Sequence, residues 1–362
     1  MIAQNAPKPQ FWAVLAALRF FFAMWVLFDH TYNFGPPERA MPVFSKSGLM
    51  AVMCFFVISG FSIHHSITVA PRGYGQRRFW RIFPINALAV GIGWLAWSVL
   101  NLSGGYGTPQ VAPTAWDFIG CLLFLEVVLP VMIEFLYPAW SLSVEVLYYT
   151  FAPVLKRYRG ELLIALLMTA SCVLFIAWPF IRDEYIAAQF HYRIPALAML
   201  WAWLAGWVAY SHPRHGAYFA ALVVGGLAGI YTQAKFFAIE DVTSGIATCV
   251  AWIGTVGVVF YRWGSIDNER CNTFFSYLGD LSYPLYLLHY PLLFALTSSI
   301  LKAYPEWNYG IVQVAISLAA AMLAFHYVDK PLRNVGRLNS EYFSSAAMSI
   351  IRGVAARRGP LR

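Results

Sequence analysis

The sequence predicts an all-α polytopic membrane protein with about ten transmembrane helices and an extra re-entrant or interfacial segment. The first observation is composition: of 362 residues, 60% are hydrophobic and 12% are charged, whereas soluble domains hold about 25% charged residues. The second is that apolar segments recur along the chain at lengths near the roughly 20 residues that a spanning helix needs. The third is that Lys and Arg concentrate in the connections and in the C-terminal tail.

The apolar segments follow one another from the N-terminus to residue 327. They lie near residues 11–29, 48–70, 79–100, 117–137, 139–155, 161–179, 195–210, 217–231, 245–262, 280–301 and 309–327. The segment 117–137 differs from the others because it carries Glu126, Pro130 and Glu134. Since carboxylates are costly in a spanning helix, we expect this segment to be re-entrant or to lie on the outer face of the membrane.

The distribution of positive charge predicts the orientation. If the N-terminus is cytoplasmic and 117–137 does not cross, 18 Lys and Arg residues lie inside and 6 outside, with Arg19 in the membrane. If 117–137 crosses, the division becomes 9 inside and 15 outside. The positive-inside rule favours the first arrangement, which has ten spans and both termini cytoplasmic. We therefore predict a transmembrane domain over residues 1–335 and a basic cytoplasmic tail over 336–362.

Charge and cysteine usage disfavour two other kinds of site. The net charge of +8 is explained by orientation in a membrane better than by a phosphate-binding face, so no nucleic-acid partner is expected. The five cysteines are scattered and show no C-x-x-C or Cys/His spacing, so we predict neither a disulfide framework nor a metal site. Membrane lipids remain the expected surroundings of the chain.

The first apolar segment, LRFFFAMWVLFDH, holds Arg19 and ends on Asp29 and His30. The spacing of Arg19 and His30 places them on one stripe of a helix, about 16 Å apart. A charge near the bilayer centre costs at least ~2.5–3.5 kcal/mol and usually faces a bundle interior or a water-filled cavity. Arg19 alone is compatible with a structural ion pair, and His30 alone with an interfacial histidine. Together they favour a polar path through the membrane.

A pair of arginines precedes the third apolar segment, in the run RRFWRIFP. As positive-inside flanks, Arg78 and Arg81 need no further function. As arginines three apart on a helix, however, they face one way and match the geometry of a phosphate group. The functional alternative is therefore a binding site for a phosphorylated cytosolic cofactor.

Two later segments carry polar groups at helical spacing. PAWSLSVEVLYY places Glu145 and Tyr149 on one face, and LGDLSYPLYLLHYPL places Ser282, Tyr286 and His289 on one stripe. A lone intramembrane histidine is more often a helix–helix hydrogen bond than a catalyst. Here it shares the bundle with a second histidine, an acid and an arginine, which favours a common polar site.

Taken together, these stretches resemble the membrane acyltransferase-3 family over roughly residues 11–335. The family's Arg-x10-His pattern is matched by Arg19 and His30, and its R-x-x-R by Arg78 and Arg81. FFVISGF, residues 55–61, is similar to the family's FFVLSGF, and its small residues are typical of close helix packing.

Three further motifs extend the resemblance towards the C-terminus. WSLSVE, residues 140–145, is followed by a tyrosine as in the family. SYPLYLLHYP, residues 282–291, is similar to SYxxYLxHxP. YVDKPLR, residues 327–333, resembles the closing Y-x-E-x-P element, with Asp329 in place of the usual glutamate. Each motif alone is moderately specific, whereas five in the right order are strongly so.

The resemblance implies an integral membrane O-acyltransferase of the bacterial inner membrane. Such an enzyme moves an acyl group, foremost acetyl, from cytosolic acyl-CoA to a hydroxyl of a cell-surface carbohydrate, such as exopolysaccharide or lipopolysaccharide, free or lipid-linked. It holds no permanently bound cofactor, since acetyl-CoA or another acyl-CoA is a substrate. O-acylation of a small molecule, such as a macrolide or a lipo-oligosaccharide signal, is the alternative enzyme. A transporter is the non-enzymatic alternative, although no internal repeat supports it.

The roles of the site residues also follow from the resemblance. His30 is implied as the general base or as a transient acyl carrier, and Arg19 orients the donor or stabilises the oxyanion. The remaining roles are binding of the donor and positioning of His30. For donor binding we expect Arg78, Arg81, Tyr149, Ser282 and Tyr286. For positioning and proton relay we expect Glu145, Tyr286 and His289, and which histidine takes the proton first stays open.

Overall fold

A computed structural model describes residues 7–33, 44, 46–100, 113–129, 131, 133–158, 160–181, 193–236, 242–264, 266–297 and 309–336. Within these residues the regular structure is entirely helical. The predicted tail lies outside the described residues from position 337 onward, as does Pro130. The all-α prediction is therefore confirmed for the described residues.

The helices follow one another along the described residues of the chain. They are α1 Pro9–Asn33, α2 Gly48–Val69, α3 Tyr74–Leu100, α4 Ala115–Leu122, α5 Ala139–Tyr158, α6 Glu161–Ile181, α7 Arg193–Ala198, α8 Leu200–Ser211, α9 Gly216–Phe236, α10 Val242–Tyr261, α11 Glu269–Leu296 and α12 Tyr309–Ala324. A π-helical turn, Phe325–Asp329, extends α12.

Six of the described helices are long and apolar enough to cross a membrane, namely α1, α2, α3, α6, α10 and the extended α12. Shorter apolar helices, Ala196–Ser211 and Gly216–Thr232, accompany them. The protein is thus a polytopic membrane protein. The helices α5 and α11 have 20 and 28 residues, which is also long enough to span, but they are more polar because they carry predicted site residues.

The structure differs from the prediction in the helix that carries His289. We expected an apolar segment over 280–301, whereas α11 already begins at Glu269. The N-terminal cap of this helix is Asn268, whose side chain accepts hydrogen bonds from the backbone N–H groups of Arg270 and Cys271 at 2.9 and 3.2 Å. Hydropathy does not detect the start of this helix because its first turn contains Glu269, Arg270 and Asn272.

Residues 117–137 do not form a spanning helix. The helix α4 has 8 residues, a length of about 12 Å that is too short to cross a bilayer. Turns and a 3-10 turn, Glu134–Leu136, follow it. The side chain of Asn86 in α3 donates to the Cys121 carbonyl at 3.0 Å and so attaches the segment to the helix bundle.

Glu126 in this segment is buried, with 4% of its surface exposed, and accepts a hydrogen bond from the Ser143 hydroxyl. Burial raises the pKa of its carboxyl group from 4.5 to about 7. Between these two pH values the folded state binds more protons than the unfolded chain, so the stability falls as pH rises. Above pH 7 the folded protein keeps a buried charge, at a cost of up to about 3 kcal/mol.

We therefore expect Glu126→Gln to flatten the pH dependence of stability. The measurement is the thermal unfolding midpoint of the detergent-purified protein at pH 5, 6.5 and 8. The wild-type midpoint should drop by several degrees more than that of the variant over this range. Glu269→Gln, at an exposed position in the first turn of α11, serves as the control and should keep the wild-type slope. Parallel curves for wild type and Glu126→Gln would contradict the burial argument.

Two helix crossings position the site. At the crossing of α2 and α8, a Cβ on Gly60 would overlap the Trp203 carbonyl oxygen, and one on Gly206 would overlap the Val57 carbonyl oxygen. The two backbones are therefore in direct contact, which explains the packing role predicted for the run FFVISGF. The helices α1 and α11 also pack closely along their length, and the predicted polar residues of both lie in this interface or beside it.

Candidate active site

Two histidines from different helices meet in the interface of α1 and α11. The His30 Nδ1 and the His289 Nε2 lie 2.8 Å apart, and the ring planes are within 11° of each other. His30 is 8% exposed and His289 is fully buried. Helical spacing placed His30 and His289 on the polar stripes of two different helices. A hydrogen bond between the two imidazole rings connects these stripes in the structure.

The tautomers of the two histidines follow from the hydrogen bond between His289 and the Leu285 carbonyl group. The His289 Nδ1 lies 3.0 Å from the Leu285 carbonyl oxygen, which only accepts hydrogen bonds, so this nitrogen carries the hydrogen. In a neutral ring the His289 Nε2 is then an acceptor, and the His30 Nδ1–H donates to it. The His30 Nε2 therefore keeps its lone pair. The chain Leu285–His289–His30 fixes which nitrogen of which histidine is available as a base.

A cavity beside the histidine pair collects most of the other predicted residues. We call it the arginine cavity; it encloses about 810 Å³ of empty space, including the solvent at its mouth. Seven of the predicted site residues line it: Arg19, Arg78, Arg81, Glu145, Tyr149, Ser282 and Tyr286. They come from α1, α3, α5 and α11, so residues from four separate helices share one site.

The arginines of this cavity have unsatisfied donors. The Nε atoms of Arg19 and Arg78 are buried and have no hydrogen-bond partner among the described residues. Buried polar groups are nearly always hydrogen-bonded, so each exception requires an explanation. An anionic ligand in the cavity would supply these partners, and three guanidinium groups suit its charge.

Glu145 belongs to the arginine cavity rather than to the histidine pair. Its carboxylate accepts a hydrogen bond of 2.5 Å from the Tyr149 hydroxyl, one turn further along α5. The Tyr149 ring in turn lies 5.8 Å from the Arg78 guanidinium. In the described part of the chain, the hydrogen-bond partner of His30 is His289, and no bond joins Glu145 to either histidine. The contact with His30 that we expected of Glu145 is thus replaced by one with Tyr149.

His30 opens into a second cavity, which we call the histidine cavity. Its lining includes Asp29, His30, Lys46, Tyr137, Trp140 and Tyr286. Tyr286 lines both cavities, and its hydroxyl is 2.6 Å from the Ser141 hydroxyl. The Arg-x10-His pattern therefore reaches two cavities with one helix: Arg19 lines the first, His30 lines the second, and Tyr286 stands between them.

Sequence reasoning assigned no role to Arg333, which forms a second polar cluster. The Arg333 Nε donates to the fully buried Asp329 carboxylate at 2.6 Å, and one terminal NH2 group donates to Asp280 at 2.7 Å. Arg333 also interacts electrostatically with Arg81. The spacing of four between Asp329 and Arg333 was a usable signal, whereas the contact with Asp280 depends on the packing of α11 against the extended α12.

A comparison with family models identifies the domain. The model described as an acyltransferase domain matches residues 12–326. The chain belongs to the acyltransferase 3 family. This membrane acyltransferase is thus an O-acyltransferase, and the matched range contains both histidines and the whole set of residues predicted for the site. No curated protein and no solved structure matches the chain.

Proposed function

We propose that this acyltransferase transfers an acyl group, foremost acetyl, from acyl-CoA to a hydroxyl of a cell-surface carbohydrate, free or lipid-linked. The observation that carries the proposal is the pair of cavities that meet at Tyr286. One cavity is lined by arginines that suit a phosphorylated donor. The other contains a histidine with a lone pair, which suits a hydroxyl acceptor. The excess of Lys and Arg in the connections beside the arginine cavity supports a cytoplasmic mouth in a bacterial inner membrane.

The donor would occupy the arginine cavity. Arg78 and Arg81, near the start of α3, would bind its phosphates through charge-assisted hydrogen bonds. The thioester arm would extend past Ser282 towards Tyr286, which, like Val52, lines both cavities. Arg19, about 16 Å from His30 along α1, would orient the donor within the arginine cavity.

The chemical step would take place at His30. Its Nε2 removes the proton from the acceptor hydroxyl as the hydroxyl oxygen attacks the thioester carbonyl carbon. The carbon–sulfur bond then breaks, and the CoA thiolate takes the proton from the imidazolium. The products are an ester and free CoA. His289 would hold the His30 ring and stabilise its positive charge, which leaves His30 as the base.

The test is CoA release by the purified, detergent-solubilised protein with acetyl-CoA. The assay is run with and without a mixed pool of bacterial surface glycans. We expect release that rises with the glycan and radiolabelled acetyl groups in the glycan fraction. Labelling of a small hydroxylated molecule instead would move the acceptor to that class. A folded protein that releases CoA from no short acyl-CoA would overturn the proposal and favour a transporter or a different donor.

The proposed binding of the donor phosphates by Arg81 leads to a separate prediction. We expect Arg81→Ala to raise the KM for acetyl-CoA by about 10- to 100-fold, because a hydrogen bond to a charged group contributes about 1.5–3 kcal/mol. S-acetyl-N-acetylcysteamine carries no phosphate, so its KM should not change in the same variant. Arg77→Ala is the matched control, since Arg77 donates to backbone carbonyls of Ala70 and Arg72 and does not line the cavity. An unchanged KM for acetyl-CoA in Arg81→Ala would remove the phosphate-binding role.

A further inference from the structure

The histidine cavity contains a carboxylate that the chemical step does not use. Asp29 precedes His30 in the sequence, but its side chain points to the start of α2, where its Oδ1 accepts from the Ser47 N–H at 3.1 Å. A Cβ on Gly48 would contact the Asp29 Oδ2 at 2.6 Å, so glycine permits this approach. Because His289 already orients His30, Asp29 is not required as the partner of that ring.

Contacts with α1 fix the residues beside Asp29 that precede α2. The Trp25 Nε1–H donates to the Ser47 hydroxyl at 2.7 Å, and this hydroxyl donates to the Phe44 carbonyl at 2.7 Å. The Phe44 ring stacks on Phe28 at 5.2 Å. Lys46 has a φ of 56°, a left-handed conformation that is uncommon for a residue other than glycine. Such backbone strain persists where the surrounding contacts fix it, often at a binding site.

Aromatic rings form another part of the same wall. Tyr137 is 42% exposed, and its ring meets His30 edge-to-face at 6.3 Å. Trp140 lines the cavity as well and is half-buried. Aromatic rings with a polar edge combine apolar contact area with hydrogen bonding. With Tyr286, the cavity therefore offers three aromatic rings, one carboxylate and one ammonium group around the His30 base.

This combination matches a pyranose ring. Its C–H face packs on an aromatic side chain, while its hydroxyls donate to a carboxylate and accept from an ammonium group. Among the described residues, no ion pair involves Asp29 or Lys46. The Asp29 carboxylate already accepts from the Ser47 N–H, but a carboxylate has about four acceptor positions and can accept from a ligand hydroxyl as well. An apolar acceptor would offer neither a donor to Asp29 nor an acceptor to Lys46, and an acidic group in the position of the donating hydroxyl would face the Asp29 carboxylate.

We propose that the histidine cavity is the acceptor site for a neutral pyranose unit, with Asp29 and Trp140 as specificity-determining residues. The sugar lies against Trp140 and Tyr137, and one of its hydroxyls donates to Asp29. A neighbouring hydroxyl then faces the His30 Nε2. This proposal rests on the proposed transfer to carbohydrate, and it adds the residues that select the acceptor.

The experiment uses the full-length protein in detergent with the methyl glycosides of glucose, galactose and mannose as probes. Binding is followed by calorimetry without donor, and transfer by acetyl-CoA turnover. We expect at least one glycoside to bind and to accept acetyl.

In Asp29→Asn, which keeps an acceptor for the Ser47 N–H, the KM for that glycoside should rise by about 10-fold or more. The KM for acetyl-CoA should not change. Trp140→Phe should retain more affinity than Trp140→Ala.

The outcomes separate this proposal from the one on which it rests. Binding of a glycoside that weakens in Asp29→Asn supports the acceptor site even where no CoA is released, which would count against the transfer reaction alone. CoA release without binding or acylation of any of the three glycosides would overturn the acceptor site. Equal acylation of cyclohexanol and a glycoside would also overturn it. Trp94→Ala, in α3 and outside both cavities, is the control and should behave as wild type.

Discussion

Replacing His30 by alanine is expected to lower the rate of acyl transfer by about 10²- to 10⁴-fold, the usual contribution of a general base. The lone pair that accepts the hydroxyl proton is on the Nε2 of this ring, and His289 is too deeply buried to replace it. The KM for acetyl-CoA should change little, because the phosphates would bind elsewhere. The measurement is the steady-state turnover of purified wild type and variant at equal amounts of folded protein.

Variants of His289 distinguish a positioning residue from a base. The side chain of His289→Gln offers an amide oxygen near the place of the Nε2, so it still accepts from His30 and should retain a large part of the activity. His289→Ala removes this acceptor and should lose about 10-fold more. Equal losses for His289→Gln, His289→Ala and His30→Ala would instead show that both rings take part directly in proton transfer. Near-normal turnover in His30→Ala would refute the assignment of the base.

The sequence predicted the bounds of the helices well where hydropathy was the main signal. α1, α2 and α6 begin and end within a few residues of the predicted segments, because long apolar runs in lipid have to satisfy their backbone internally. The prediction missed the start of α11 because the first turn, from Glu269, is polar and gives no hydropathy signal. The segment 117–137 needed charge counting as well as hydropathy, since its length alone suggested a span.

The sequence predicted the arrangement of the site only in part. Helical spacing placed Glu145 with Tyr149, and Ser282 with Tyr286, and these two groupings persist in the structure. His289, which spacing placed with Ser282 and Tyr286, instead pairs with His30. Spacing does not reveal which helix faces which, so it gave no indication that Arg19 and His30 line different cavities. Asp29 and Tyr137 lie at helix ends or in connections, where no periodic pattern marks them, and only the packing brings them to His30.

The crossing of α2 and α8 carries the largest expected effect on folding. We expect Gly60→Ala to destabilise the protein by about 3 kcal/mol or more, since the added methyl group would overlap the Trp203 carbonyl oxygen. Backbone atoms do not change rotamer, so a whole helix has to move. Gly91→Ala is the matched control: a Cβ there has no neighbour within 4 Å, and alanine favours a helix over glycine. Both variants are compared by thermal unfolding midpoint and by monodispersity in size-exclusion chromatography.

The same substitution connects folding to the site. Ser59, the residue before Gly60, lines the arginine cavity, and its hydroxyl lies 3.2 Å from the Tyr149 hydroxyl. A displacement of α2 away from α8 would therefore shift one wall of the cavity. Any Gly60→Ala protein that does fold should show a raised KM for acetyl-CoA, whereas Gly91→Ala should not. A Gly60→Ala variant with wild-type midpoint and wild-type KM would show that the two helices have room to separate, contrary to the backbone contact at this crossing.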